Sequence, residues 1–432
     1  MQLPLTELTP TAYARKLCDD LDVGVDNLCV DERSASDLWA DSGAMALTGC
    51  ADGPALGCPA PLAACAQGAW QSVCHLSPDA LDPEIPAYRM LGERAALFGY
   101  ERQGAMSPGG SCRLLECVDG WLAVNLPREH DWRSLPALLE HDVDTWEELA
   151  TKLSDLPLQV MLDRARLMGL AVARDDVSGN VPWCRQTRCS PAAPPAGRSP
   201  LVVDLSSLWA GPLCAELLAQ SGARVIKLES QTRPDGARHG NARFFDLLNA
   251  RKQSVALDFD SSSGRRCLQE LLKRADIVIE ASRPRALRQL GVEAETLVRE
   301  DSGKVWVSIT GYGREEPMAN WVAFGDDAGV AAGLSRAMNR VHGAPVFVGD
   351  AIADPLTGLH AAAAALAAWQ KGGGVLLDIS LRSVVAHCLS SGYASLDTPT
   401  AVRSPVAREM NARAPQLGAN TQYVLVSLGI RC

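Results

Sequence analysis

From residue 201 onward, short β-branched runs alternate with helical stretches, and this alternation constrains the fold more than any other feature of the chain. LVVDLSS (201–207) is an apolar run followed at once by Ala210, Gly211 and Pro212, where a strand hands over to a helix. The helix, read over 213–221, stops at Gly222, a residue suited to the left-handed position after a helix C-terminus. ARVIKLE (223–229) then resumes as a buried strand, and SVALDFD, a helix over 264–274, ADIVIEAS and KVWVSITGYG repeat the pattern. Strands this uniformly apolar need cover on both faces, which crossover helices supply, so the expected fold class is α/β with a parallel sheet.

Beyond residue 326 the side chains shrink. DDAGVAAGLS and LHAAAAALAAW predict helices that pack backbone to backbone, VLLDISL (375–381) reads as one more strand, and the tail reads as an exposed turn and a short apolar element. Ahead of residue 183 the pattern is weaker: an amphipathic helix near 12–21, a middle rich in Gly, Ala and Cys, a strand GWLAVNL (120–126), and helices over 146–153 and 158–168. Between the two halves, CRQTRCSPAAPPAGRSP carries four prolines and reads as a linker. The expected division is therefore 1–183, a linker 184–200, and 201–432.

With 432 residues the chain has room for two or three domains, and 47% hydrophobic against 21% charged residues is a globular balance. The formal net charge of −10 argues against binding nucleic acid by bulk charge, so any anionic ligand must be met locally. The 14 cysteines include no CxxC pair; Cys50, Cys58, Cys65 and Cys74 come nearest to a cluster, with only His75 beside them, so no metal is expected. Reduced thiols, no basic leader and no run of about 20 apolar residues give the expectation of a cytoplasmic protein without a membrane span.

Glu229, at the end of the second strand, stands where a dinucleotide-binding fold places an acid for a ribose hydroxyl. The preceding crossover, DLSSLWAGPLC, has one glycine followed by proline, whereas close approach of a pyrophosphate needs several glycines and free amides. No GxxxxGK[ST] occurs either, so neither nicotinamide nor ATP-loop chemistry is supported.

The ordered blocks VVDLSSLWAGPLCAELLAQSGARVIKLE, DGAR, NARKQSVALD, ADIVIEASRPRALRQLG, VSITGYG, FGDDAGVAAGLS, GDAIADPLTGLHAAAAALAAW and LLDISL resemble the type III CoA-transferases, a family that includes formyl-CoA and carnitine CoA-transferases and α-methylacyl-CoA racemases. SDLWADSGAMALTG (36–49) and CRLLECVDGWLAVNLPREHDW echo the same family and suggest a partial second copy fused ahead of a fuller one. The resemblance implies a Rossmann-like large domain and a smaller α+β domain. It also implies interlocked pairing, as a homodimer or within one chain, and transfer of coenzyme A from an acyl-CoA to a free carboxylic acid.

The family's nucleophile is an aspartate, and a carboxylate in a dry pocket beside a thioester attacks its carbonyl to give a mixed anhydride as the thiolate leaves. The family's register falls on Asp41 in WADSGAMALTG and on Gly325 in FGDDAGVAAGLS, where Asp326 and Asp327 are adjacent, so Asp41 ranks first and Asp326 second. The alternative role of such acids is to cap the helix that follows. Gly311 and Gly313 of GYG offer backbone amides for a developing oxyanion. The resemblance assigns Ala210, Arg238, Arg251 and Lys252 to coenzyme A. In ASRPR, residues 281–285, the family's amide and aromatic ring are missing, and Arg283 with Arg285 can compensate. A racemase needs a second base. Asp354, with Asp350 nearby, is available as the second carboxylate, but Ala40 and Gly325 stand where the histidine would be and only His342 and His360 are there to substitute, so transfer ranks above racemisation by Asp41 with Asp354, and an inactive CoA-binding paralogue is the non-enzymatic alternative. The acid substrate is not readable from a pocket with only 6 Phe, 6 Tyr and 10 Trp to draw on.

Overall fold

The computed structural model describes residues 7–175, 182–194, 197–396 and 401–431; residues 1–6, and Pro195 and Ala196 of the expected linker, lie outside the described residues. Helix α1 (Pro10–Asp20) begins where the Thr9 hydroxyl accepts from the Ala12 amide and Pro10 needs no amide partner. It buries Tyr13, Ala14 and Leu17, in line with the amphipathic stretch read there. Helix α2 (Ala35–Asp41), capped by Ser34, leads to α3 (Leu62–His75), which occupies part of the Gly-, Ala- and Cys-rich middle and is enclosed nearly all round. Cys50, Cys58, Cys65 and Cys74 are free thiols.

Strands β1 (Cys112–Cys117), β2 (Gly120–Asn125) and β3 (Ala171–Arg174) form a small antiparallel sheet in that order. Alternate side chains point to opposite faces, and both faces are covered. Leu122, Val124 and Val172 pack on the helices Trp146–Leu153 and Leu158–Leu167, both close to their predicted limits. Cys112, Leu114, Ala123 and Ala173 pack on Tyr312, Val330 and Phe347 of the larger body.

The larger sheet has seven strands: β4 (Cys184–Arg188), β5 (Leu201–Asp204), β6 (Arg224–Ser230), β7 (Gln253–Leu257), β8 (Ile277–Glu280), β9 (Val305–Thr310) and β10 (Val375–Ser380). Their order is β4-β10-β9-β8-β5-β6-β7, all parallel except β4, which is antiparallel to β10. The α/β expectation is met. Helix α4 (Ala210–Gln220) crosses from β5 to β6 and begins three residues earlier than read, because Pro212 sits in the first turn, where a missing amide costs nothing. Gly222, at φ 94°, takes the left-handed position just beyond it. After β9 come α5 (Gly325–Ala331), the long α6 (Ala353–Gln370) and, directly after β10, α7 (Leu381–Ser390).

Two expectations about domains change. Cys184–Arg188, read as the start of a linker, is the edge strand β4, pairing Cys184 with Ile379 and Arg188 with Val375. An edge strand needs only its backbone on one side, so the polar, mostly exposed CRQTR shows no apolar signature. Nor is 1–183 a separate body. Tyr13, Leu17 and Trp70 share one core with Leu213, Ala361 and Val384, because α6 is apolar on every face and is packed by both α4 and α3. Each buried leucine in that core contributes about 1.5–3 kcal/mol by leaving water. No described helix is long and apolar enough to cross a membrane.

Candidate functional site

The C-terminal ends of parallel strands are where open α/β sheets meet ligands, and here they carry internal ion pairs. Asp204, ending β5, accepts from Lys252 Nζ at 2.8 Å, and Lys252 also reaches the Pro212 carbonyl at 2.9 Å. Both side chains are enclosed, so the Lys252 charge is spent inside the protein. Glu229 accepts from Arg238 at 2.8 and 2.6 Å and from the Asp235 amide at 3.0 Å, so both of its oxygens are engaged inside the protein. Arg251, half exposed, donates to Glu216 at 3.0 Å. Arg283 is different. It is exposed and lies near Arg285 and Arg128; burial, then those two like charges, hold its pKa below the ordinary value. Among the described residues no carboxylate pairs with Arg128, Arg283 or Arg285.

Asp41 is the last residue of α2, not the first of a helix. Tyr88 Oη donates to its Oδ2 at 2.6 Å, Arg89 Nη2 donates to the same oxygen at 2.6 Å, and Arg403 donates to Oδ1. Burial is outweighed by these three donors, and the Asp41 carboxyl is held below the usual range. Gly313 donates its amide to Thr310 Oγ1 at 2.8 Å, and Gly311 packs against Ala323. His342 Nε2 is bonded to the Gly57 carbonyl oxygen, and His360 lies between Tyr13 Oη (2.6 Å) and the Leu356 carbonyl (2.7 Å).

The structure gathers instead the acids at the starts of α5 and α6. Asp326, Asp327, Asp350 and Asp354 meet at this corner, and of the four only Asp354 keeps appreciable accessible surface. Asp327 Oδ1 accepts from Asn125 Nδ2 (2.8 Å) and from the Phe324 amide (3.0 Å), which makes it the cap of its helix. Asp326 Oδ1 accepts from the Ala351 amide at 2.8 Å. Asp350, fully buried, is gripped by Arg94: Nε to Oδ2 at 2.8 Å and Nη2 to Oδ1 at 2.5 Å. Asp354, in the first turn of α6, faces the Ala210 amide at the start of α4, which favours its anion.

Burial raises the pKa of Asp326 to about 6, with Asp350 adding to it and Arg94 opposing. Burial raises Asp327 to about 7, opposed by Asn125. Asp354 is raised to about 7, first by burial and then by Asp326 and Asp350, while Arg94 and the Ala210 amide oppose. Asp354 Oδ2 lies so near Gly325 that an added Cβ would stand 2.3 Å from it and 2.4 Å from the Ala351 carbonyl. Glycine at this position is therefore a condition of the site. Ala351 (φ 43°) and Leu208 (φ 70°), which precede α6 and α4, adopt left-handed backbone at a cost of about 1–3 kcal/mol each. Backbone strain of this kind clusters at active sites and ligand clamps.

Of the residues expected from sequence, the structure brings Ala210, Asp326 and Asp327 to this corner, together with Asp350 and Asp354, which the sequence offered only as second bases. It places Asp41, Arg238, Arg251 and Lys252 in other ion pairs. Arg94, Tyr100 and Trp209 were missed. Arg94 lies in the six-residue helix Glu93–Phe98, and nothing local distinguishes it from a surface arginine.

The sequence profile of CoA-transferase family III matches residues 200–424, more than half of the chain. An acyl-CoA transferase of Fusarium pseudograminearum is 31% identical over 199 residues, covering 42% of this chain and 44% of that protein. A formyl-CoA:oxalate CoA-transferase of Escherichia coli O6:H1 is 29% identical over 197 residues, covering 43% and 47%. The chain thus spans less than half the length of these curated relatives. Among solved structures, Rv3272 of Mycobacterium tuberculosis is 26% identical over 44% of this chain and 55% of its own, with a TM-score of 0.40. A CAIB/BAIF family protein of Brucella suis is 26% identical over 46% and 56%, with a TM-score of 0.38.

Proposed function

The chain belongs to CoA-transferase family III, and from that premise we propose that it moves coenzyme A from an acyl-CoA to a free carboxylic acid through Asp354. The observation that carries the choice of residue is accessibility: of four acids packed together, Asp354 alone combines reachable surface with a position at a helix N-terminus. The α6 dipole and the Ala210 amide favour its anion, while a desolvated setting keeps it reactive.

Asp354 attacks the thioester carbonyl, the C–S bond breaks, and the CoA thiolate leaves from a mixed anhydride. The thiolate attacks the aspartyl carbonyl, releasing the donor acid as carboxylate and leaving an aspartyl-CoA thioester. The acceptor carboxylate attacks that thioester to form a second anhydride, and the returning thiolate takes the new acyl group and frees Asp354. No redox or metal step is needed.

The phosphates of coenzyme A need cations not already spent, and Arg128, Arg283 and Arg285 meet that need. The Arg128 guanidinium lies 5.1 Å from the Phe324 ring centre, and the next residue, Gly325, lies against Asp354, so Arg128 and the carboxylate both lie at the N-terminal end of α5. Racemisation would require a second base, and His342 and His360 are both engaged elsewhere. Pairing of two chains belongs to the same proposal and is read by light scattering.

The test is intact-protein mass spectrometry after incubation with a panel of acyl-CoA thioesters, then hydroxylamine trapping and peptide mapping. An adduct on the peptide carrying Asp354 supports the proposal. An adduct on the Asp41 peptide would overturn the choice of residue. No adduct with any donor, while coenzyme A still raises the melting temperature, would move the protein to the inactive CoA-binding class.

A further inference from the structure

The profile match begins at residue 200, yet one cation at the Asp354 corner comes from far upstream. We propose that Arg94 is the positioning residue of this site, holding the start of α6 and the Ala210 amide in register on Asp354. This rests on the reading of Asp354 as the acyl acceptor.

Two physical routes lead from Arg94 to Asp354. The first runs through Asp350, whose two oxygens both bond to the Arg94 fork and whose side chain has no exposure. Asp350 begins the turn that leads into α6, and the Asp354 amide closes that turn on the Ala351 carbonyl at 2.9 Å. A carboxylate this deeply buried is tolerated only with its cation in place. The second route runs through Trp209. The Arg94 guanidinium lies 5.6 Å from the Trp209 ring centre and 5.7 Å from that of Tyr100. Trp209 is the residue immediately before α4, whose first residue, Ala210, turns its amide towards Asp354 and favours the anion there. One planar cation therefore fixes both elements that hold the nucleophile.

Asp354 is faced by Asp326, Asp350 and Arg94, with Tyr100, Asp327 and Cys112 in the next layer. Arg94 opposes the raised pKa of Asp326 and of Asp354 alike. Lysine cannot replace it, because an ammonium offers neither the bidentate fork nor the flat face that stacks on an indole.

The test compares Arg94→Lys, Arg94→Gln and the charge-balanced double variant Arg94→Gln/Asp350→Asn with wild type. Labelling by carbodiimide and an amine, mapped to the Asp354 peptide across pH, needs no substrate. We expect the labelling midpoint in Arg94→Gln to rise by about one pH unit, because a countercharge is lost, and to return towards wild type in the double variant. In Arg94→Lys we expect kcat for the best acyl-CoA donor to fall about tenfold with KM changed by less than about threefold, because orientation is lost while binding is kept. Equal midpoints in wild type, Arg94→Gln and the double variant would overturn the proposal, as would a lysine variant with unchanged kcat. If Arg94→Gln fails to fold, kcat of the lysine variant still decides. If wild type transfers nothing from any donor, the reading of Asp354 as acyl acceptor fails, while the labelling series still shows whether Arg94 controls the carboxylate.

Discussion

Asp41 and Asp354 are the same side chain at opposite ends of helices. Asp41 closes α2, where the helix dipole disfavours an anion, and three donors stabilise its charge. Asp354 opens α6, where the dipole favours an anion, but it shares a buried corner with three other acids and one arginine. The first is a satisfied ion pair, and the second is a carboxylate held near its point of ionisation. A satisfied carboxylate packs a structure together, while a crowded one is poised to react.

The strongest way to break this contrast is substitution of the two acids. Asp354→Asn should lower CoA transfer at least about a thousandfold, as expected for loss of a nucleophile, with melting unchanged or improved. Asp41→Asn should leave kcat within about threefold, because no reacting group touches it. Steady-state kinetics with one donor and one acceptor decides, and a reversed order would exchange the two roles.

Gly325→Ala attacks the geometry without touching charge. Its new methyl group meets the Asp354 carboxylate and the Ala351 carbonyl, and we expect a loss of about 2–3 kcal/mol in urea unfolding. A variant as stable as wild type would mean that the corner is looser than described.

The acid corner also sets a pH dependence. Asp327, raised to about 7 by burial, and Asp326, raised to about 6, keep protons that the unfolded chain gives up near pH 4. Stability from these groups is therefore full below about pH 4 and is lost as pH rises towards their folded values, by at most about 1.4 kcal/mol per pH unit for each group. Urea titrations at successive pH values should show the decline, and Asp327→Asn should flatten it. A slope identical in the variant would remove Asp327 from the account.

The smallest effect belongs to the other side of the comparison. Asp41→Asn should destabilise the protein by only about 1 kcal/mol, because its ion pairs remain partly solvated. Added salt should shrink that difference.

Much of the fold is legible in the chain because its signals are local. The β5-α4-β6 unit, the helices near 146–167 and the small-residue helix before β10 follow from β-branched runs, caps and periodicity, each contained in a dozen residues. β4 was not legible, since an edge strand needs no apolar pattern. The core shared by α1, α3 and α6 was not legible either, because a helix apolar on all faces does not say what covers it.

The sequence by itself determined the strand order in the chain, the family blocks and the presence of acids beside small residues. Only the tertiary structure decided which acids are buried together and which of them keeps accessible surface. Asp354 acquires its character from Arg94, Ala210 and Asp326, residues tens to hundreds of positions away, and the low dielectric that shifts its ionisation exists only once they have packed together.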